Sequence, residues 1–230
     1  MTAPIAVALD APDVDTAARW ANAVQRYVSV LKVGLELFCR HGPDVVNVVR
    51  GGTGLDLFLD LKLHDIPNTV AGAARSVARL KPAYLTVHAS GGRDMVRAAV
   101  EAAPDVKIAA VTLLTSLDEH ALRVLGVDQQ PRDVVLRLAS VAVEAGARAV
   151  VCSPQEVAAV RAEVGDGITL VTPGVRLEGG DAQDQARVAT PARALADGAD
   201  LLVIGRPITG ASDPGAAAAA IAADLQRLRA

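Results

Sequence analysis

The chain has 230 residues, 51% of them hydrophobic and 21% charged, and a formal net charge of −3. This composition excludes intrinsic disorder, which goes with low hydrophobicity and high net charge. The slight acidity and an aromatic content of 2% exclude a general nucleic-acid binder, which needs a basic face and stacking rings.

Two cysteines, Cys39 and Cys152, make no disulfide framework and read as reduced thiols of a cytoplasmic protein. The start, Met1-Thr2-Ala3-Pro4, lacks the basic region and apolar stretch of an export signal. No window reaches the ~18 apolar residues of a membrane span, so no membrane partner is expected.

In chain order, the first apolar run covers residues 5–9 and ends at Asp10. No glycine follows it, so the Gly-rich turn of a dinucleotide-binding open sheet is missing. A helical pattern occupies 14–24. The second run, 30–33, carries Lys32, and a helical stretch follows at 43–50. The third run, 57–63, contains Asp60 and Lys62 and leads to Pro67, well placed to begin a helix. Helical spacing at 70–80 precedes the run 84–87, which ends at His88. Then come a helix at 95–102, a run at 108–114 with Thr112 and Thr115 at its end, a helix at 134–145, and a run at 147–152 ending at Ser153. A helix at 154–164, a run at 168–171 leading into Pro173-Gly174, a helix at 191–196 and a run at 201–204 leading into Gly205-Arg206 complete the alternation. The alanine tract 216–220 anchors a last helix at 214–228, since alanine has the best helix propensity. Segment 118–130 has no readable element boundaries.

Strands alternating with helices imply a parallel sheet, and near-continuous apolar strands imply burial on both faces. Eight units in 230 residues is about 29 residues each, close to a βα repeat. The expected fold is α/β, a (β/α)8 TIM barrel. With no linker-like tract, residues 1–230 are expected to form a single domain.

In such a barrel the chemistry sits at the C-terminal ends of the strands. Side chains alternate along a strand, so Asp60 and Lys62 share one face while Leu59, Leu61 and Leu63 share the other. Leucines packed under the helices turn Asp60 and Lys62 into the barrel mouth. Lys32, Asp10 and Asp65 belong to the same rim. A structural ion pair accounts for Asp60 and Lys62 alone. Five charges on one rim are harder to explain so, because each desolvated charge costs several kcal/mol unless something offsets it. Pro173-Gly174-Val175-Arg176 and Gly205-Arg206 follow runs seven and eight, where barrels frequently bind phosphate. Between Gly174 and Pro191 lies a polar segment too long for an ordinary loop, which reads as a lid over a phosphate. His41 and His120 read as surface residues, His64 and His88 as packing or hydrogen-bonding residues, and Cys152 as a buried small residue. There is no Cys/His zinc spacing and no G-x-S-x-G elbow.

The run Asp60-Leu61-Lys62-Leu63-His64-Asp65-Ile66-Pro67-Asn68-Thr69 resembles the signature of the orotidine 5'-phosphate decarboxylases. So do Ala8-Leu9-Asp10, Leu31-Lys32-Val33-Gly34, Leu114-Thr115-Ser116, Thr172-Pro173-Gly174-Val175-Arg176, Asp184-Gln185 and Val203-Ile204-Gly205-Arg206. The resemblance runs from about residue 5 to about 214, and no matched position departs from it. It implies a homodimeric barrel that converts orotidine 5'-monophosphate to uridine 5'-monophosphate and CO2, with no cofactor and no metal. It implies that Lys62 delivers the proton and Asp60 sits beside the substrate carboxylate. Lys32 and Asp65 would complete a Lys–Asp–Lys–Asp array, with Asp65 and Thr69 reaching the neighbouring active site. Asp10, Lys32 and Thr69 would hold ribose hydroxyls, Thr115 would contact the pyrimidine, and Ile66 and Pro173 would line the substrate site. Arg176, Gln185, Gly205 and Arg206 would bind phosphate.

The nearest alternative is a sugar-phosphate decarboxylase of the same superfamily, which uses Mg2+ and carries Glu where this chain has Lys32. A cation there would repel Mg2+, whose ligands are oxygens. A second alternative is a non-catalytic barrel that binds a nucleotide phosphate, but phosphate binding does not require the charged array.

Overall fold

The computed structural model describes residues 2–175 and 189–227. Eight parallel strands pair in chain order: β1 (Ala3–Ala8), β2 (Val28–Gly34), β3 (Asp56–Leu63), β4 (Tyr84–His88), β5 (Lys107–Val111), β6 (Ala149–Val151), β7 (Thr169–Thr172) and β8 (Leu201–Ile204). β8 pairs with β1 and closes the barrel. This is the (β/α)8 TIM barrel that the alternation predicts, and closure pairs each of the eight described strands on both sides.

Parity along each strand divides the apolar residues between two cores. Inward residues Ala6, Val30, Phe58, Ala109, Ala149, Val171 and Leu201 fill the barrel, with Tyr84 packed against them. Alanines on β1, β5 and β6 leave room for Phe58 and Tyr84, whose ring centroids lie 5.5 Å apart. Outward residues such as Ile5, Val7, Leu31, Leu57, Leu59, Leu85, Ile108, Leu170 and Leu202 pack beneath the helices.

The helices are α1 (Val14–Val24), α2 (Leu35–His41), α3 (Asp44–Arg50), α4 (Pro67–Ala78), α5 (Gly92–Ala102), α6 (Glu119–Val124), α7 (Pro131–Glu144), α8 (Val157–Val164), α9 (Pro191–Ala196), α10 (Arg206–Thr209) and α11 (Pro214–Arg227). Small residues let them lie close to the sheet. α1 buries Ala17, Ala21 and Val24, and Asp13 caps it by accepting from the Thr16 N–H at 2.7 Å.

Three helices were not expected. α2 follows β2 with no intervening breaker and buries only Leu37, so it leaves little periodic signal. α6 lies in the unreadable segment and is nucleated by Asp118, whose carboxylate accepts from the Ala121 N–H at 2.8 Å. α10 is one turn. α4 begins at Pro67, the helix start that the sequence offered, one turn ahead of the apolar periodicity at 70–80. α8 begins at Val157 rather than 154, because a turn precedes it: the Glu156 N–H donates to the Ser153 carbonyl at 3.1 Å and the Ser153 hydroxyl donates to the Glu156 carboxylate. The apolar run 108–114 ends as a strand at Val111, and Leu113 and Leu114 continue over the mouth.

Candidate active site

A cavity of about 400 Å³ opens at the C-terminal ends of the strands. Its walls differ in character. Asp10, Lys32, Asp60 and Lys62 come from β1, β2 and β3, while Phe58, Val111, Leu113, Val151 and Val203 make an apolar lining. Thr115, Pro173, Gly205 and Arg206 also line it, as the strand-end reading expects.

The charges are coupled through Asp60. Lys62 Nζ lies 2.8 Å from Asp60 Oδ1, and Lys32 Nζ lies 3.1 Å from Asp60 Oδ2. Lys32 Nζ also lies 3.6 Å from Asp10 Oδ1. Each oxygen of Asp60 therefore faces its own ammonium. Burial raises the Asp60 carboxyl, but Lys32 and Lys62 outweigh burial and hold it below the ordinary carboxylate value. The Lys32 side chain is only 8% exposed, so its charge depends on these carboxylates for compensation. Gly34 makes the approach possible. A Cβ there would stand 2.8 Å from Asp10 Oδ1 and 3.1 Å from Lys32 Nζ.

Lys62 reaches the mouth by a different route from simple alternation. Its φ is +47°, in the left-handed region that side chains seldom adopt. β3 pairs with β4 at Leu59–Leu85 and next at Leu63–Val87, so β3 carries two extra residues between these points. This bulge re-aims the chain just where the lysine sits, as bulges beside active sites do. The Lys62 N–H donates to Thr86 Oγ1 at 2.8 Å, and Thr86 Oγ1 donates to Asp60 Oδ1 at 3.1 Å.

Other expected residues lie elsewhere. Asp65, Ile66 and Thr69 are exposed beyond β3 and do not line this chain's own cavity. The Asp65 carboxylate accepts from the Ile66 N–H at 2.6 Å, and Ile66 is 67% exposed. Arg176, Gln185 and the lid segment fall outside the described residues. Thr112 and Ser153 face away from the cavity: the Thr112 hydroxyl donates to the Val151 carbonyl at 2.8 Å, and Ser153 is bound to Glu156. His64 and His88 stack with centroids 5.3 Å apart. Burial, His64 and Lys62 together lower the His88 pKa. Cys152 is buried, and burial with nearby Glu156 pushes its thiol up to about 12.

The sequence reading missed Thr86 and the apolar lining. Thr86 sits on the inward parity of β4 in an apolar run, but threonine is so common in strands that it drew no notice.

Fold and cavity together define a (β/α)8 barrel with a lysine–carboxylate pocket at its C-terminal mouth. The family model described as "Orotidine 5'-phosphate decarboxylase / HUMPS family" matches residues 3–221. The chain is 72% identical over 227 residues to the orotidine 5'-phosphate decarboxylase of Thermobifida fusca (strain YX), covering 99% of this chain and 97% of that one. It is 59% identical over 240 residues to that of Frankia casuarinae, covering 97% and 88%. The crystal structure of orotidine 5'-phosphate decarboxylase from Lactobacillus acidophilus superposes with a TM-score of 0.84 at 37% identity, over 96% of this chain and 98% of that one. The chain belongs to the orotidine 5'-phosphate decarboxylase / HUMPS family.

Proposed function

We propose that this chain converts orotidine 5'-monophosphate to uridine 5'-monophosphate and CO2, the last step of pyrimidine nucleotide synthesis, without cofactor or metal. The observation that carries this reading is Asp60, half-buried and held ionised between Lys32 and Lys62 at the barrel mouth.

Loss of CO2 leaves the electron pair of the broken C–C bond on a ring carbon with no good electron sink. The Lys62 ammonium, pinned to Asp60, attracts that developing charge and then gives it a proton, forming the new C–H bond. The neutral amine regains its proton from solvent. Preorganised charge of this kind is usually the largest single contribution to catalysis. The substrate carboxylate, set beside Asp60, meets a repulsion of about 4 kcal/mol for unit charges 4 Å apart at an effective dielectric of 20. That repulsion vanishes as neutral CO2 leaves. The apolar lining from Val111, Leu113, Val151 and Val203 suits the neutral product better than the charged group it replaces. Gly205 and Arg206 take the phosphate, joined by Arg176 and Gln185. This remote binding energy offsets strain at the reacting carbon.

The Mg2+-dependent alternative meets an obstacle in Lys32. Its ammonium stands between the Asp10 and Asp60 carboxylates, the place a divalent cation would take. The test is to add orotidine 5'-monophosphate and follow its ultraviolet absorbance, with and without EDTA. Turnover undiminished by EDTA is expected. No turnover, or turnover abolished by EDTA, rejects the proposal. Lys62→Ala is expected to lower kcat by about 10⁴-fold or more while the protein stays folded. Near-normal turnover in that variant would remove Lys62 as proton donor.

A further inference from the structure

We infer that Thr86 is a positioning residue that holds the backbone and the ammonium of Lys62 to one carboxylate oxygen. The inference rests on the proposed role of Lys62.

The bulge in β3 takes Lys62 out of regular register with β4. Its N–H donates instead to the hydroxyl of Thr86, at 2.8 Å. A hydroxyl has one proton, and here its direction is set by its partners: an N–H can only donate and an ionised carboxylate can only accept. The proton of Thr86 Oγ1 therefore points to Asp60 Oδ1, 3.1 Å away. The same oxygen accepts from Lys62 Nζ at 2.8 Å. A closed ring results, running from the Lys62 N–H through Thr86 and Asp60 to the Lys62 ammonium. Both ends of one side chain are tied to a single carboxylate, and the tie spans two strands. Thr86 is 1% exposed, so water cannot readily replace the hydroxyl. Its location fits the strain it opposes, because Lys62 holds φ at +47° against the preference of any side chain.

Two consequences follow from the chemistry. Without the hydroxyl, the Lys62 N–H is left unpaired and the lysine relaxes toward an ordinary strand conformation, so the ammonium swings from its place. Asp60 also loses a donor that favours its charged form, so its pKa rises and the acid limb of the rate profile moves to higher pH.

The experiment compares Thr86→Val, Thr86→Ala and Thr86→Ser with the parent and with Lys62→Ala. It measures kcat, KM and the pH profile on orotidine 5'-monophosphate, with circular dichroism melts to check folding. Thr86→Val is expected to lose roughly 10- to 100-fold in kcat, the scale of one hydrogen bond to a charged group, with KM changed less than about threefold. Its acid limb should move up, and Thr86→Ser should restore most of kcat. A kcat for folded Thr86→Val or Thr86→Ala within twofold of the parent overturns the inference. So does a loss that Thr86→Ser fails to rescue, or an acid limb that stays in place. If both hydroxyl-free variants fail to fold, Thr86 is a structural residue and the inference also falls. If Lys62→Ala itself keeps its activity, the reading of Lys62 fails first, and the two failures are told apart.

Discussion

Asp60 offers one oxygen to each of two lysines, and this sharing keeps a half-buried carboxylate ionised in the cavity wall. Removing either lysine would leave Asp60 with one of its two compensating cations, which is why substitutions here act on the whole array and not on one contact. Arg206 belongs to the opposite kind of residue, exposed at the rim and placed to meet a ligand arriving from solvent. A guanidinium presents a fork of donors that matches phosphate geometry. Under the proposed reading, Arg206→Ala raises KM for orotidine 5'-monophosphate by roughly 10- to 100-fold, the scale of charge-assisted hydrogen bonds. It should barely change the much weaker turnover of the phosphate-free nucleoside. Parallel kinetics on both substrates check this, and an equal loss on the two would contradict the phosphate assignment.

At the scale of elements, the two ends of the barrel divide their work. The C-terminal ends of β1, β2 and β3 carry charges that oppose folding until they are paired. The N-terminal end carries ties that hold strands to helices. Arg161 on α8 donates to the carbonyls of Gly165, Ile168 and Gly198 and pairs with Asp200, whose carboxylate also accepts from the Leu170 N–H at 2.7 Å. One side chain thus fastens α8 to the entries of β7 and β8. Arg161→Met keeps most of the aliphatic stem but abandons three carbonyls and a carboxylate. It is expected to cost about 2–4 kcal/mol of stability. Arg161 does not line the cavity at the C-terminal mouth, where barrel chemistry sits, so kcat at 25 °C should stay near the parent value. Thermal melts and steady-state rates on the same preparation test the pair of statements. A large fall in kcat with an unchanged melt would reverse the assignment.

At the scale of the whole molecule, Asp65, Ile66 and Thr69 point out of their own barrel, and a 67% exposed isoleucine sits between charged and polar neighbours. The family resemblance implies a homodimer in which these residues would reach the partner's mouth, so that each site would draw on two chains. The proposal has an arithmetic consequence. Lys62→Ala and Asp65→Ala should each be nearly inactive alone. When mixed and allowed to exchange subunits, they should regain roughly a quarter of parental activity, because half the dimers are mixed and each of those holds one intact site. Activity that stays flat after mixing, with exchange verified by differently tagged chains, would place Asp65 in its own chain's site or in none.

The barrel itself is local information. Apolar runs of strand length between helical patterns are a property of consecutive residues, and Val14–Val24, Pro191–Ala196 and Leu201–Ile204 were legible to the residue. Lys32, Asp60, Gly205 and Arg206 were legible for the same reason: charges or glycines at the ends of apolar runs, where barrel chemistry collects. What parity could not supply was the conformation of Lys62 or the role of Thr86. A strand pattern assumes an unbroken ladder, and the two extra residues in β3 exist only relative to β4. α2 and α6 were hidden because short helices with one buried residue each carry almost no period. The sequence by itself determined that Asp10, Lys32, Asp60, Lys62, Gly205 and Arg206 arrive at the mouth. Only the tertiary structure decided how they meet, because the hydroxyl that ties Lys62 to Asp60 comes from the next strand, and its distance is set by inter-strand register.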